Sequence, residues 1–209
     1  MPADRYQPRR NARQDRARDT IDTILEAAGR LLAADGPLAV STNRIAEKAG
    51  VSIGSLYQYF PGKDAVLHAL IEREFTAFAD AVIALVGTFD PKKLTLEQAV
   101  TRLVDRIVED HGRKRPLYRG LLSSALSFHR LRFTLDNDVR VLAALRSKLV
   151  EFLGPVDAAE LETATFVLVH ALKGVQLGAA FAGHPVDDRV RAVTIRMVLA
   201  ALPAPAKAA

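Results

Sequence analysis

The chain has no cysteine and no tryptophan. Without cysteine, neither a disulfide framework nor a thiolate metal site can form. The five histidines, His68, His111, His129, His170 and His184, include no pair at i, i+4 spacing, which argues against zinc. No metal and no cofactor is expected. No glycine-rich phosphate loop follows a strand pattern, and no nucleophile elbow occurs. Asp136, Asn137 and Asp138 lack the glycine and distal glutamate of a calcium loop and read as a helix cap. Glu109, Asp110 and His111 read as a polar helix end rather than an acid/base pair. Clusters of β-branched residues are sparse, so there is no convincing strand, and no repeat of fixed period is present. Long apolar runs are also missing. The longest, residues 166–183, spans 18 positions but carries His170, Lys173 and Gln176, and a membrane span rarely tolerates a central lysine. The N-terminal residues are polar and arginine-rich, without a signal-peptide apolar core, so no membrane partner and a cytoplasmic location are expected.

What is present is a chain of 209 residues, 49% hydrophobic and rich in Ala, Leu and Arg, enough for a sizeable all-helical core. The net charge of +5 suits a polyanion but does not identify one. Residues 1–63 hold ten Lys/Arg against seven Asp/Glu, so the basic excess is spread along the chain.

Residues 1–15 contain Arg5, Arg9, Arg10 and Arg13 without apolar periodicity. They read as a flexible basic arm able to reach phosphates or a minor groove, or as a solubilising tail. A first helix over residues 16–34 has the stripe Ile21, Ile24, Leu25, Ala28, Leu31 and Leu32, and Gly36-Pro37 ends it. Residues 41–63 then organise the rest. Ser41 can cap a short helix over 42–49 whose apolar face is Ile45, Ala46 and Ala49. Gly50 stands where a left-handed residue would end it, and Val51 turns inward. Ser52 can cap a second helix over 53–60 that carries Ile53, Leu56 and Phe60 at roughly helical spacing, before Pro61-Gly62 breaks the chain. This is the pattern of a helix-turn-helix, whose second helix enters the DNA major groove.

A long helix over 63–86 follows, with the stripe Leu67, Leu70, Ile71, Phe75, Phe78, Val82 and Leu85, long enough to join two domains. Further helices are expected over 95–111, 116–128, 138–153, 157–182 and 187–201, nine in all, separated by GRKRP and Gly154-Pro155 among other breaks. The domain boundaries are 16–63 for the helix-turn-helix domain, 64–202 for the C-terminal domain and 203–209 for a disordered tail. The eighth of these helices is apolar on nearly all sides and must be covered all round. A second copy of the chain is the economical cover, with Gly174, Gly178 and Phe181 meeting Val190 and Met197 of the last helix at a symmetric interface. A buried helix in a monomer is the alternative. Phe78, Leu103, Ile107, Leu122, Phe128, Phe166 and His170 either line a pocket for a largely apolar ligand or form plain core.

The residues Ser41-Thr42, Ile45-Ala46, Ala49-Gly50-Val51-Ser52, Leu56-Tyr57, Phe60 and Lys63, in this order and spacing, resemble the TetR family of transcriptional regulators over about residues 16–75. The resemblance implies a nine-helix, two-domain TetR-like fold with an N-terminal helix-turn-helix and a C-terminal ligand and dimerisation domain. It further implies a homodimer on double-stranded operator DNA, released by a small-molecule effector. Carried onto this chain, it places Ser41 and Thr42 at the phosphate backbone, with Asn43 and Arg44 exposed where either could read a base. Ser52, Gly54 and Ser55 would lie deepest in the groove, Tyr57, Tyr59 and Lys63 would clamp phosphates, and Gln58 could pair with adenine. The recognition helix has neither Arg nor Lys, so its base contacts must be polar, apolar or water-mediated. The expected function is a ligand-responsive repressor and not an enzyme. The rival readings are a DNA-binding regulator without inducer, and a helical carrier or enzyme with a vestigial helix-turn-helix.

Overall fold

Apolar side chains at three- and four-residue spacing wind the described residues into eight α-helices, with no strand among them. The computed structural model describes residues 9–125, 132–182 and 186–204. The helices are α1 (Arg9–Asp35), α2 (Thr42–Ala49), α3 (Ile53–Tyr59), α4 (Lys63–Gly87), α5 (Leu96–Ala125), α6 (Arg132–Leu153), α7 (Ala158–Ala182) and α8 (Asp188–Ala200). A 3-10 turn, Pro37–Ala39, joins α1 to α2. None of the described helices is long and apolar enough to cross a membrane.

Three apolar clusters organise these helices. The first packs Ile24, Leu25, Ala28, Leu31 and Leu32 of α1 against Ile45 and Ala46 of α2, Leu56 of α3, and Val66, Leu67, Leu70 and Ile71 of α4. The N-terminal unit thus draws on α4 well past residue 63, where the sequence places the boundary. The second cluster joins Val82 and Val86 of α4 to Phe89 and Ala99, with Val141 and Leu145 of α6 at its edge. The third brings Val100 and Val104 of α5 against Leu168 of α7 and Val198 of α8. Helix α4 takes part in two of the three and is the rod between the ends, roughly 37 Å long for 25 residues at 1.5 Å each.

Two expectations need correction. The separate helices over 95–111 and 116–128 are one helix, α5, which runs through Pro116. A proline inside a helix removes one hydrogen bond and favours a kink. Tertiary packing holds α5 together across it. Leu117 packs against the N-terminal cluster, and Gly120 lies so close to Leu32 that a Cβ there would be 2.6 Å from its Cγ. Second, α6 begins at Arg132, so Asp138 stands inside the helix and is not its cap. Helix α1 also begins at Arg9, so residues 9–15 of the expected arm are helical, while residues 1–8 lie outside the described residues.

Candidate DNA-binding surface and regulatory cavity

Local hydrogen bonds fix the helix-turn-helix. The Ser41 hydroxyl accepts from the Arg44 amide at 3.3 Å and closes the first turn of α2. At the other end Gly50 is left-handed, with φ of 70°. Its amide donates to the Glu47 carbonyl at 3.1 Å, and that of Val51 donates to Ala46 at 3.0 Å. This paired bonding satisfies the carbonyls of the last turn and turns the chain sharply. Ser52 then caps α3, its hydroxyl accepting from the Ser55 amide at 3.0 Å and lying 2.8 Å from the Ser55 hydroxyl. Ile45, Ala46 and Leu56 are buried beneath these turns.

The outward residues form one surface. Ser41, Asn43, Ser52, Gly54, Tyr57 and Gln58 are exposed. The hydroxyls of Thr42 and Tyr57 meet at 3.4 Å, which joins the start of α2 to the middle of α3. Tyr59 is half-buried and packs against the N-terminal cluster with its ring. Ile53 is 39% exposed at the first position of α3 and joins the surface. Lys63 opens α4, after Gly62 in the capping position. Arg44 is already engaged. One guanidinium nitrogen bonds Asp35 at 2.6 Å, and the other donates to the Ala39 carbonyl at 2.8 Å. The pair ties the first turn of α2 to the end of α1.

A cavity lies between α4, α5, α6 and α7, with Phe75, Phe78, Ala79, Val82, Ile107, Val141, Val169 and Leu172 as its apolar wall. Its interior of about 70 Å³ has room for about five water-sized groups. The polar end is formed by Asn137, Asp138, Lys173 and Gln176. Asp138, 9% exposed, accepts a charged hydrogen bond from Lys173 and faces the His170 Nε2 at 3.8 Å. The other imidazole nitrogen of His170 lies 2.8 Å from the Phe166 carbonyl, which only accepts, so Nδ1 carries the proton. Asn137 donates to the Thr76 hydroxyl at 3.2 Å and fixes α6 against α4 at this end.

Of the pocket residues expected from sequence, Phe78 and Ile107 line this cavity. His170 stands behind it through Asp138. Leu103 borders a separate, smaller hollow with Val86, Phe89 and Leu149. Phe166 does not line this cavity. It is 53% exposed, with its ring centroid 4.2 Å from that of His170. Phe128 and the side chain of Leu122 lie outside the described residues. Sequence reasoning missed the ion pair, because Asp138 reads as a cap and Lys173 as a mere obstacle to membrane insertion. The available signal was a lysine and a histidine three residues apart on an otherwise apolar helix.

The outer faces of α7 and α8 carry an apolar row. Phe166, Val167, Gly174 and Gly178 are exposed on α7, and Val193 and Met197 on α8, with half-buried Val190 at the row's edge. Val193 was not foreseen, and the side chain of Phe181 lies outside the described residues. No group of His, Asp and Glu among the described residues could hold a metal ion.

A capped helix-turn-helix is thus joined by one continuous helix, α4, to a helical body that holds a cavity. Residues 24–70 match the family described as bacterial regulatory proteins, tetR family. The matched stretch runs from within α1 through α2 and α3 into the first two turns of α4. It is 28% identical over 146 residues to an uncharacterized HTH-type transcriptional regulator of Mycobacterium tuberculosis, covering 68% of this chain and 66% of that protein. It is 31% identical over 116 residues to the nucleoid occlusion factor SlmA of Actinobacillus pleuropneumoniae, covering 55% and 54%. The chain therefore matches less than two thirds of either relative's length. The crystal structure of a TetR transcription regulator from Haloarcula marismortui shares the fold, with a TM-score of 0.71 at 21% identity over 88% of this chain and 98% of that one.

Proposed function

We propose that the protein is a dimeric, sequence-specific repressor that a small, largely apolar molecule releases from its operator. The observation that carries this reading is the continuity of α4. Its first residue, Lys63, belongs to the DNA-facing surface, and Phe75, Phe78, Ala79 and Val82 of the same helix line the cavity. A molecule that fills the cavity bears directly on the rod that positions the helix-turn-helix. Release requires that it bind one dimer shape more tightly than the other. The exposed row on α7 and α8 supports pairing with a second copy across a two-fold axis. Two recognition helices about 34–36 Å apart would then meet successive major grooves.

In this reading Thr42, Tyr57 and Lys63 hold phosphates, while Asn43 and Gln58 read base edges. The role is binding, not catalysis. A regulator without an inducer needs no internal cavity, and the one between α4 and α7 favours the effector reading. The test is a mobility shift at moderate salt on promoter fragments neighbouring the protein's own gene. A specific shift abolished by Tyr57→Ala with Lys63→Ala is the expected result. Equal affinity for all fragments would overturn it.

A further inference from the structure

We infer that the effector cavity selects a small hydrophobic monocation, recognised by Asp138. The inference rests on the cavity being the effector site, and it concerns the charge that the site accepts. The ionisable side chains that line its polar end, among the described residues, are Asp138 and Lys173, with His170 behind Asp138. They are not equally committed to the interior. The carboxylate of Asp138 is 12% exposed, on a short side chain inside α6, and cannot leave. Lys173, at the edge of α7, is 41% exposed, so its ammonium reaches in from the solvent side. A lysine stem of four methylenes lets its ammonium withdraw to water with little loss.

This asymmetry decides which headgroup fits. A buried carboxylate stripped of its partner is heavily penalised, so an arriving head must replace the Lys173 ammonium or leave it in place. A ligand ammonium replaces it, keeps Asp138 paired and frees Lys173 to hydrate. A ligand carboxylate must either draw Lys173 away from Asp138 or enter beside a like charge. Both weaken the site. Beyond the head the wall is apolar, and the Phe75 and Phe78 rings on it favour a cation over an anion. An interior of about 70 Å³ suits a body of a few carbons.

The test is calorimetric titration of the full chain, without DNA, with three probes of one chain length: hexylammonium, hexanoate and hexanol. Hexylammonium is expected to bind the native protein about tenfold or more tightly than hexanoate, the ratio expected when one head preserves the buried pair and the other breaks it. Lys173→Met leaves Asp138 without its ammonium and should tighten hexylammonium further. Asp138→Asn, nearly isosteric, should reverse the order, because Lys173 is then the unpaired charge and hexanoate its partner. Preference for hexanoate in the native protein, or an order unchanged by Asp138→Asn, overturns the assignment. Equal binding of all three probes overturns the cation reading but leaves an effector cavity. No binding to the native protein or to Lys173→Met overturns both, with the DNA-binding reading still to be judged by mobility shift.

Discussion

The hydroxyls of Thr42 and Tyr57, fifteen residues apart in sequence, lie 3.4 Å from one another across the turn. In the proposed DNA-bound state one belongs to the helix at the phosphate backbone and the other to the helix in the groove. If both hydroxyls hold phosphates as proposed, their meeting presets the spacing of the two donors. Tyr57→Phe removes one partner of an exposed bond, so water can replace it and the fold should melt unchanged. DNA affinity should fall by about 0.5–1.5 kcal/mol, for operator and unrelated duplex alike. Titration of both duplexes with the variant checks this, and a loss confined to the operator would make Tyr57 a base reader.

Arg44 is bound on two sides, by Asp35 and by the Ala39 carbonyl. Its expected role is to hold α2 against α1 rather than to read guanine. Arg44→Ala and Asp35→Ala should then weaken DNA binding alike, without changing the preferred sequence. Selection of binding sites from a randomised duplex pool with each variant decides the matter. A changed consensus with Arg44→Ala alone would restore the base-reading role.

Helix α3 carries no basic residue, so the salt dependence of binding must come from few charges. Each phosphate neutralised adds about 0.9 to the slope of log affinity against log salt. Lys63→Ala should reduce that slope by about one for each recognition helix on the duplex. An unchanged slope would remove Lys63 from the contact.

Gly120 is the point of closest approach between α5 and α1. A methyl group there would meet the side chain of Leu32, which is 1% exposed and has nowhere to go. Gly120→Ala should destabilise the protein by about 1–3 kcal/mol through overpacking, despite the better helix propensity of alanine. Urea unfolding measures it. A gain in stability would mean that α1 and α5 slide apart at no cost.

Val193 and Met197 sit on the exposed face of α8, away from the third cluster. Val193→Glu with Met197→Glu adds charge where the proposed dimer is dry. Sedimentation should show a monomer whose helix content by circular dichroism is unchanged. A variant that stays dimeric would move the interface elsewhere.

The helix-turn-helix is legible in sequence because its determinants are local. Ser41, Gly50 and Ser52 each fix a bond or a dihedral within five residues of themselves, and the helices begin and end where they indicate. Helix α5 is not legible in the same way. The run GRKRP reads as a break, and only Leu117 and Gly120, packing on α1, decide that the helix continues. The cavity lies between these cases. Periodicity tells which side of a helix is buried, and Phe78 and Ile107 on such faces line the cavity. It does not tell where inward residues fail to fill the space, and Leu103 borders a separate hollow. The Asp138–Lys173 pair joins residues 35 positions apart on different helices, and no local pattern encodes it.

The placement of Tyr57 and Tyr59 has an optical consequence. With no tryptophan and only four tyrosines, the intrinsic ultraviolet emission of the chain comes from very few rings, and two of them stand on α3. Tyr57 is 53% exposed on the proposed DNA face, whereas Tyr59 is partly sheltered in the N-terminal cluster. Docking on a duplex would change the surroundings of the first ring far more than those of the second. The unlabelled protein thus carries its own fluorophore at the surface where binding is to be measured, and Tyr57→Phe supplies the matching blank.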